Sequence, residues 1–113
     1  MNVKTEQAGR VSIVRVGETR LMYPILSDFS DAVGTLVAGG NRDILIDLTP
    51  VTYVDSATIG CLMDLYRQVR GAGGQLKLSG VQKRVETMLT LTGAQNFIEI
   101  HGDEPTAVKS FGA

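Results

Sequence analysis

The sequence predicts an α/β fold: a single domain with a mixed sheet of four to five strands and about four helices. Three observations predict it. Short runs rich in valine, isoleucine and leucine recur at residues 11–16, 43–48 and 75–80. The stretches between them carry apolar residues at the three- and four-residue spacing of a helix face. Glycines close those stretches. Strands that alternate with helices in this way argue for parallel strand pairs covered by helices.

Each element has its own justification. "RVSIVRV" at 10–16 alternates and is β-branched, so it reads as a strand, and residues 2–7 are expected to pair with it across the turn at Ala8-Gly9. "GETRLMYP" at 17–24 is a connection, and Pro24 suits a first helical turn, where a missing N–H costs little. Leu26, Phe29, Ser30, Val33, Leu36 and Val37 then recur at helical spacing until Gly39-Gly40. "DILIDL" at 43–48 is apolar without strict alternation, the pattern of a central strand buried on both faces. "TPVTYVD" leads to a second helix over Ser56–Arg70, with Ile59, Leu62, Met63, Tyr66 and Val69 as its core stripe. "GAGG" at 71–74 stops it, and "QLKLSG" is the next strand. "VQKRVETMLTLTG" is a third helix with Val81, Val85, Met88, Leu89 and Thr92 on one face and Gly93 just past its end. "NFIEI" at 96–100 is expected as the last strand, His101 as loop surface, and "DEPTAVKSF" as a short closing helix.

Bulk properties narrow the function. The chain of 113 residues fits one domain, 1–113, long enough to close its own core. A net charge of −1, from 11 basic and 12 acidic residues, offers no whole-chain case for nucleic acid or an anionic membrane. No apolar run has the length of a membrane-inserted helix, and the polar start "MNVKTEQAGR" lacks the apolar region of a secretory signal. One cysteine, Cys61, excludes an internal disulfide and suits the reducing cytoplasm. One histidine and no cysteine pair give no metal site, and no nucleotide or nucleophile-elbow motif is present, so neither cofactor nor enzyme chemistry is expected. Asp47, near a strand end, is where a phosphoaspartate receiver would carry its acceptor. The magnesium-binding acids such a site needs are missing, since residues 10–20 offer only Glu18.

The stretch that asks for an explanation is "VDSATIG" at 54–60, where a strand hands over to a helix. Aspartate and serine are strong helix N-caps, because their oxygens accept from the free N–H groups of the first turn. A serine at a helix start is also an accessible phosphoacceptor, and an adjacent acid opposes the added charge. A further face formed by Thr58, Cys61, Leu65 and Gln68 is more apolar than a solvated face requires. With Ser56 and Ala57 it reads either as a small docking surface or as incidental surface.

The order and spacing of these parts resemble the sulfate-transporter and anti-sigma-factor-antagonist (STAS) domain. The parts are the turn Asp55-Ser56-Ala57-Thr58-Ile59-Gly60, the break Gly73-Gly74, the strand at 76–78 and the helix end Leu91-Thr92-Gly93, within a resemblance over about residues 10–111. It implies a non-enzymatic bacterial regulator. Ser56 would be phosphorylated by a partner that is both anti-sigma factor and serine kinase, with Asp55 positioning it and a phosphatase reversing the step. Asp55, Ser56, Ala57, Thr58, Cys61 and Leu65 would form the partner surface. The alternative is a scaffold subunit of a signalling or lipid-transport assembly that is not switched by phosphorylation. Two departures stand out: Thr58 replaces a usual glycine and adds a second hydroxyl, and Thr19-Arg20 replaces a Leu-Asp-like pair.

Overall fold

A computed structural model describes residues 1–112. The chain forms β1 (Val3–Ala8), β2 (Val11–Val16), β3 (Arg20–Leu21), α1 (Leu26–Ala38), β4 (Asp43–Asp47), β5 (Tyr53–Val54), α2 (Ser56–Gly71), β6 (Gln75–Ser79), α3 (Lys83–Thr92), β7 (Ile100–His101) and α4 (Glu104–Lys109). Five strands make one mixed sheet in the order β1-β2-β4-β6-β7. The β1–β2 hairpin is antiparallel and every other pair in that sheet is parallel. The α/β class, the four helices and the mixed sheet agree with the sequence expectation.

The continuous apolar runs are explained by burial on both faces. Val14, Ile44, Ile46, Leu76 and Leu78 join the main core with Phe29, Val33, Leu62 and Leu89 from α1, α2 and α3. The alternate positions Val11, Ile13 and Leu45 face the other way and pack with Ala107 and Phe111 at the closing helix. Lys77 pairs with Leu45 in register, so it points to this second face, where it is 4% exposed. Burying a charge there is tolerable because it is fully engaged. Its Nζ donates to the Ser110 carbonyl and hydroxyl, lies 3.3 Å from Glu99 Oε2 and sits 4.7 Å from the Phe111 ring centre.

Three local expectations are corrected. "NFIEI" is not a strand throughout: Ala94–Asn96 form a 3-10 turn, and only Ile100–His101 pair with β6. The N–H groups of Phe97 and Ile98 both donate to the Ala94 carbonyl, so they cannot also serve a strand ladder. His101 therefore lies on β7 rather than in a loop, with Nε2 3.1 Å from Glu99 Oε1. The segment before α1 holds the unexpected β3, which pairs in parallel with the equally short β5. This small second sheet carries the chain into the Asp55-Ser56 turn.

Candidate functional site

The site is built where β5 ends and α2 begins. Asp55 is extended and caps α2, its Oδ1 accepting from the Thr58 amide at 2.8 Å. Its Oδ2 accepts from the Tyr23 amide at 3.0 Å, tying the turn before α1 to the start of α2. Burial pushes the Asp55 carboxyl up, but the Thr58 hydroxyl and the Tyr23 and Thr58 amides outweigh it and hold the group below the usual carboxylate range. Asp55 is therefore ionised at neutral pH, with both oxygens occupied.

Ser56 is the first residue of α2 and is exposed. Its hydroxyl has no hydrogen-bond partner in the protein among the described residues. The two neighbours thus divide the work: the acid builds the turn, and the serine is left free. A phosphoryl group on Ser56 would stand beside the ionised Asp55 and add about −1.5 to −2 of charge.

Thr58 does something the sequence did not reveal. It is fully buried, and its hydroxyl lies 2.6 Å from the Leu21 carbonyl and 2.7 Å from Asp55 Oδ1. Its single proton is shared between two acceptors that need it. The Thr58 hydroxyl is buried and engaged, unlike that of Ser56, a state that does not suit a second phosphoacceptor. It bolts β3 to α2, a contact that glycine could not make. Thr58→Val keeps the shape and removes the donor. It is expected to lose about 1–3 kcal/mol of stability, the usual cost of a buried polar group left unpaired. Urea denaturation measures this, with Thr58→Ser as the control that retains most of it.

The expected docking surface is corrected in the same way. Leu65 is 4% exposed and belongs to the main core, as does Ile59. The buried arc of α2 runs through Thr58, Leu62, Leu65 and Val69, with Met63 and Tyr66 only half-buried. Ile59, Leu62 and Val69 are buried as expected, and the stripe widens toward Thr58 and Leu65, where α1 packs along α2, while Met63 and Tyr66 only pack against its edge. Thr58 and Leu65 are accordingly not available to a partner in this fold. Ser56, Ala57 and Cys61 remain accessible. Ala57 and Cys61 line an open trough of about 510 Å³ between α1 and α2, together with Tyr23, Pro24 and Ser30. Tyr23 is 74% exposed. None of these α1-side residues was legible as part of the site, since they reach it only through the fold. Cys61 Sγ sits 3.2 Å from the Ser30 hydroxyl. Burial pushes the thiol up, against the Ser30 contact, so it stays protonated and unreactive at neutral pH.

Asp47, the position a receiver would use, is committed to structure. Burial raises its carboxyl, but the Thr49 hydroxyl and amide and Arg15 together hold it below the usual range. Arg15 Nη1 lies 2.8 Å from Asp47 and 2.7 Å from Glu104, and its Nε lies 2.9 Å from Glu6. One guanidinium thus joins β1, β2, β4 and α4. Among the described residues no cluster of three or more metal-ligating side chains occurs.

The family model for the STAS domain matches residues 2–107. The Staphylococcus aureus protein named Anti-sigma-B factor antagonist is 24% identical over 109 residues, 96% of this chain and 98% of that one. The Arabidopsis thaliana protein named "Probable sulfate transporter 4.2" is 38% identical over 61 residues, 54% of this chain but 9% of the transporter. The match thus spans a small fraction of that relative's length. A solved structure of an anti-sigma factor antagonist from Mycobacterium paratuberculosis superposes with a TM-score of 0.88 at 19% identity, covering 99% of this chain and 94% of that one. Unphosphorylated SpoIIAA, described as an anti-sigma factor antagonist, superposes with a TM-score of 0.81 at 15% identity, covering 96% and 95%. The phosphorylated form of Bacillus SpoIIAA gives 0.74 at 14%, covering 96% and 98%. At these identities the structural likeness speaks to the fold.

Proposed function

This chain belongs to the STAS domain family, and we propose that within it the protein is an anti-sigma factor antagonist switched by phosphorylation of Ser56. In its unmodified form it binds an anti-sigma factor that is also a serine kinase, and so frees the sigma factor. The kinase transfers the γ-phosphoryl group of ATP to Ser56. The Ser56 oxygen–phosphorus bond forms, the bond to the ADP leaving group breaks, and the hydroxyl proton goes to the kinase's base. The phosphorylated protein no longer binds, and a phosphatase hydrolyses the ester to reset it. The protein itself catalyses none of these steps.

One observation carries this reading. Ser56 is exposed with an unengaged hydroxyl, one residue before the trough-lining Ala57, in a turn fixed by a fully satisfied Asp55. A phosphoryl group there leaves the core untouched, so its effect falls on the surface a partner would meet. The full-length likeness to the S. aureus antagonist agrees with it. The cycle belongs in the cytoplasm, where ATP and a sigma factor are found. No helix among the described residues is long and apolar enough to cross a membrane. A second reading, a subunit of a transport or signalling assembly, draws on the partial likeness to the plant transporter.

Mass spectrometry of the protein from its own cells separates the two. Trypsin releases residues 43–67 as one peptide carrying Thr49, Thr52, Ser56 and Thr58. Phosphate is expected on Ser56 and not on buried Thr58. A peptide unmodified across growth and stress conditions would favour the assembly reading.

A further inference from the structure

Three elements converge on one aromatic ring beside the switch. Arg20 on β3 and Tyr53 on β5 are register partners in the small parallel sheet, so their side chains stand next to each other. The Arg20 guanidinium lies 4.9 Å from the centre of the Tyr53 ring. Arg84, from the first turn of α3, brings a second guanidinium to 5.8 Å from the same ring. Both arginines are exposed. Neither forms an ion pair among the described residues, whereas Arg15 and Arg67 do. Tyr53 lies on β5, the strand that runs into the phosphorylatable turn, three positions before Ser56.

Two like charges gathered at one ring repel each other, and only the ring's negative face offsets that. A guanidinium resting on an aromatic face keeps its N–H fork directed outward, fixed for bidentate binding of a carboxylate. Tyr53 thus serves as a platform that pre-orients two forks. The other flank of Ser56 has the opposite character, since the troughs between α1 and α2 are lined by Asp31 and Asp64 and carry no basic side chain. An anionic segment crossing Ser56 would be repelled on that flank and held on this one.

We propose that Arg20, Tyr53 and Arg84 form a docking site for an acidic segment of the protein partner, setting the partner's orientation over Ser56. The inference rests on the switch reading for the identity of that partner, but the recognition chemistry can be tested without it. The partner would present two or more carboxylates side by side. The cluster governs which partner binds, and phosphorylation governs when.

The probe is an acetylated, amidated hexaglutamate peptide, titrated into the full chain at low ionic strength and followed by NMR of the arginine Nε–H groups and the tyrosine rings. Saturable shifts are expected at Arg20, Arg84 and Tyr53, and salt should weaken them. The Arg20→Gln/Arg84→Gln double variant should bind about tenfold more weakly or worse, as for loss of paired interface charges. Arg20→Lys, which keeps the charge but lacks the fork, should fall between. Both arginines are on the surface, so these variants keep the fold, which an unchanged amide spectrum elsewhere verifies. Ser56→Ala should respond like the unaltered protein, which separates this result from the fate of the switch. Equal shifts at remote basic residues such as Lys4, Arg10 and Arg42 would overturn the proposal. So would displacement of the peptide by inorganic phosphate at equal ionic strength, which would mark an unselective anion patch.

Discussion

Ser56→Asp is expected to abolish binding to the anti-sigma partner while leaving the fold intact. The substitution puts a carboxylate on an exposed helix start next to Asp55, whose own oxygens are already engaged by Thr58 and Tyr23. On folding stability the effect is small, because an acid in the first turn of a helix is favourable to the dipole and offsets the repulsion from Asp55. In a complex the same charge is desolvated without a partner. That costs about 2–5 kcal/mol, so affinity should fall by about 30-fold or more. Calorimetric titration against the proposed partner kinase measures it. Ser56→Ala is the companion variant: it should bind like the unmodified protein and resist inactivation by ATP. If Ser56→Asp binds as tightly as Ser56→Ala, the proposed switch is wrong, whatever phosphate is found on the serine.

Gly74→Ala is expected to be strongly destabilising. A Cβ at Gly74 would stand 2.1 Å from the Arg42 carbonyl oxygen and 2.9 Å from its carbonyl carbon. Both are backbone atoms and cannot swing away as a side chain would. Arg42 O also accepts from the Gln75 amide at 2.9 Å, the bond that starts β6 alongside β4. Relief of the clash therefore spreads the two central strands. The expected loss is about 3 kcal/mol or more, at the upper end for overpacking. Urea denaturation should show a lower midpoint with an unchanged slope. Gly71→Ala, three residues earlier, is the control. Its Cβ meets nothing within 4 Å, and it sits in the last turn of α2, where alanine is the better helix former. It should be neutral or slightly stabilising. A Gly74→Ala variant as stable as Gly71→Ala would contradict the close approach of α2's exit to the β4 entrance.

The two experiments bear on different links of the chain from sequence to function. The first concerns a surface charge that the fold tolerates and a partner would not. The second concerns a backbone contact that the fold requires and no partner sees.

How much was legible differs from element to element. Ile44, Leu45 and Ile46 announced a strand covered on both faces, and the structure buries all three. Gly93 announced the end of α3, and its φ of 79° is the left-handed turn expected there. The Asp55-Ser56 pair announced a helix start, since cap chemistry is local. The stripe on α2 was legible at Ile59, Leu62 and Val69 but misjudged at its edges, because Met63 and Tyr66 are apolar enough to pass for core while Thr58 is not. A buried threonine looks like a surface residue until its hydroxyl finds the Leu21 carbonyl, 37 positions away. "NFIEI" was misread because strand propensity says nothing about whether the Ala94 carbonyl has already taken the amides.

By itself, then, the sequence determined what depends on neighbours along the chain: the α/β order, the caps and stops, the two-faced central strands, and the serine placed at a helix start. The tertiary structure decided what depends on residues far apart. It set how far around α2 the buried stripe extends, and so removed Thr58 and Leu65 from the surface and left Ser56 and Cys61 on it. It brought Tyr23 and Ser30 to the rim of the trough, and Arg20 and Arg84 to one tyrosine. The physical reason is that helical and strand periodicities fix which residues share a face, but only packing fixes what that face meets.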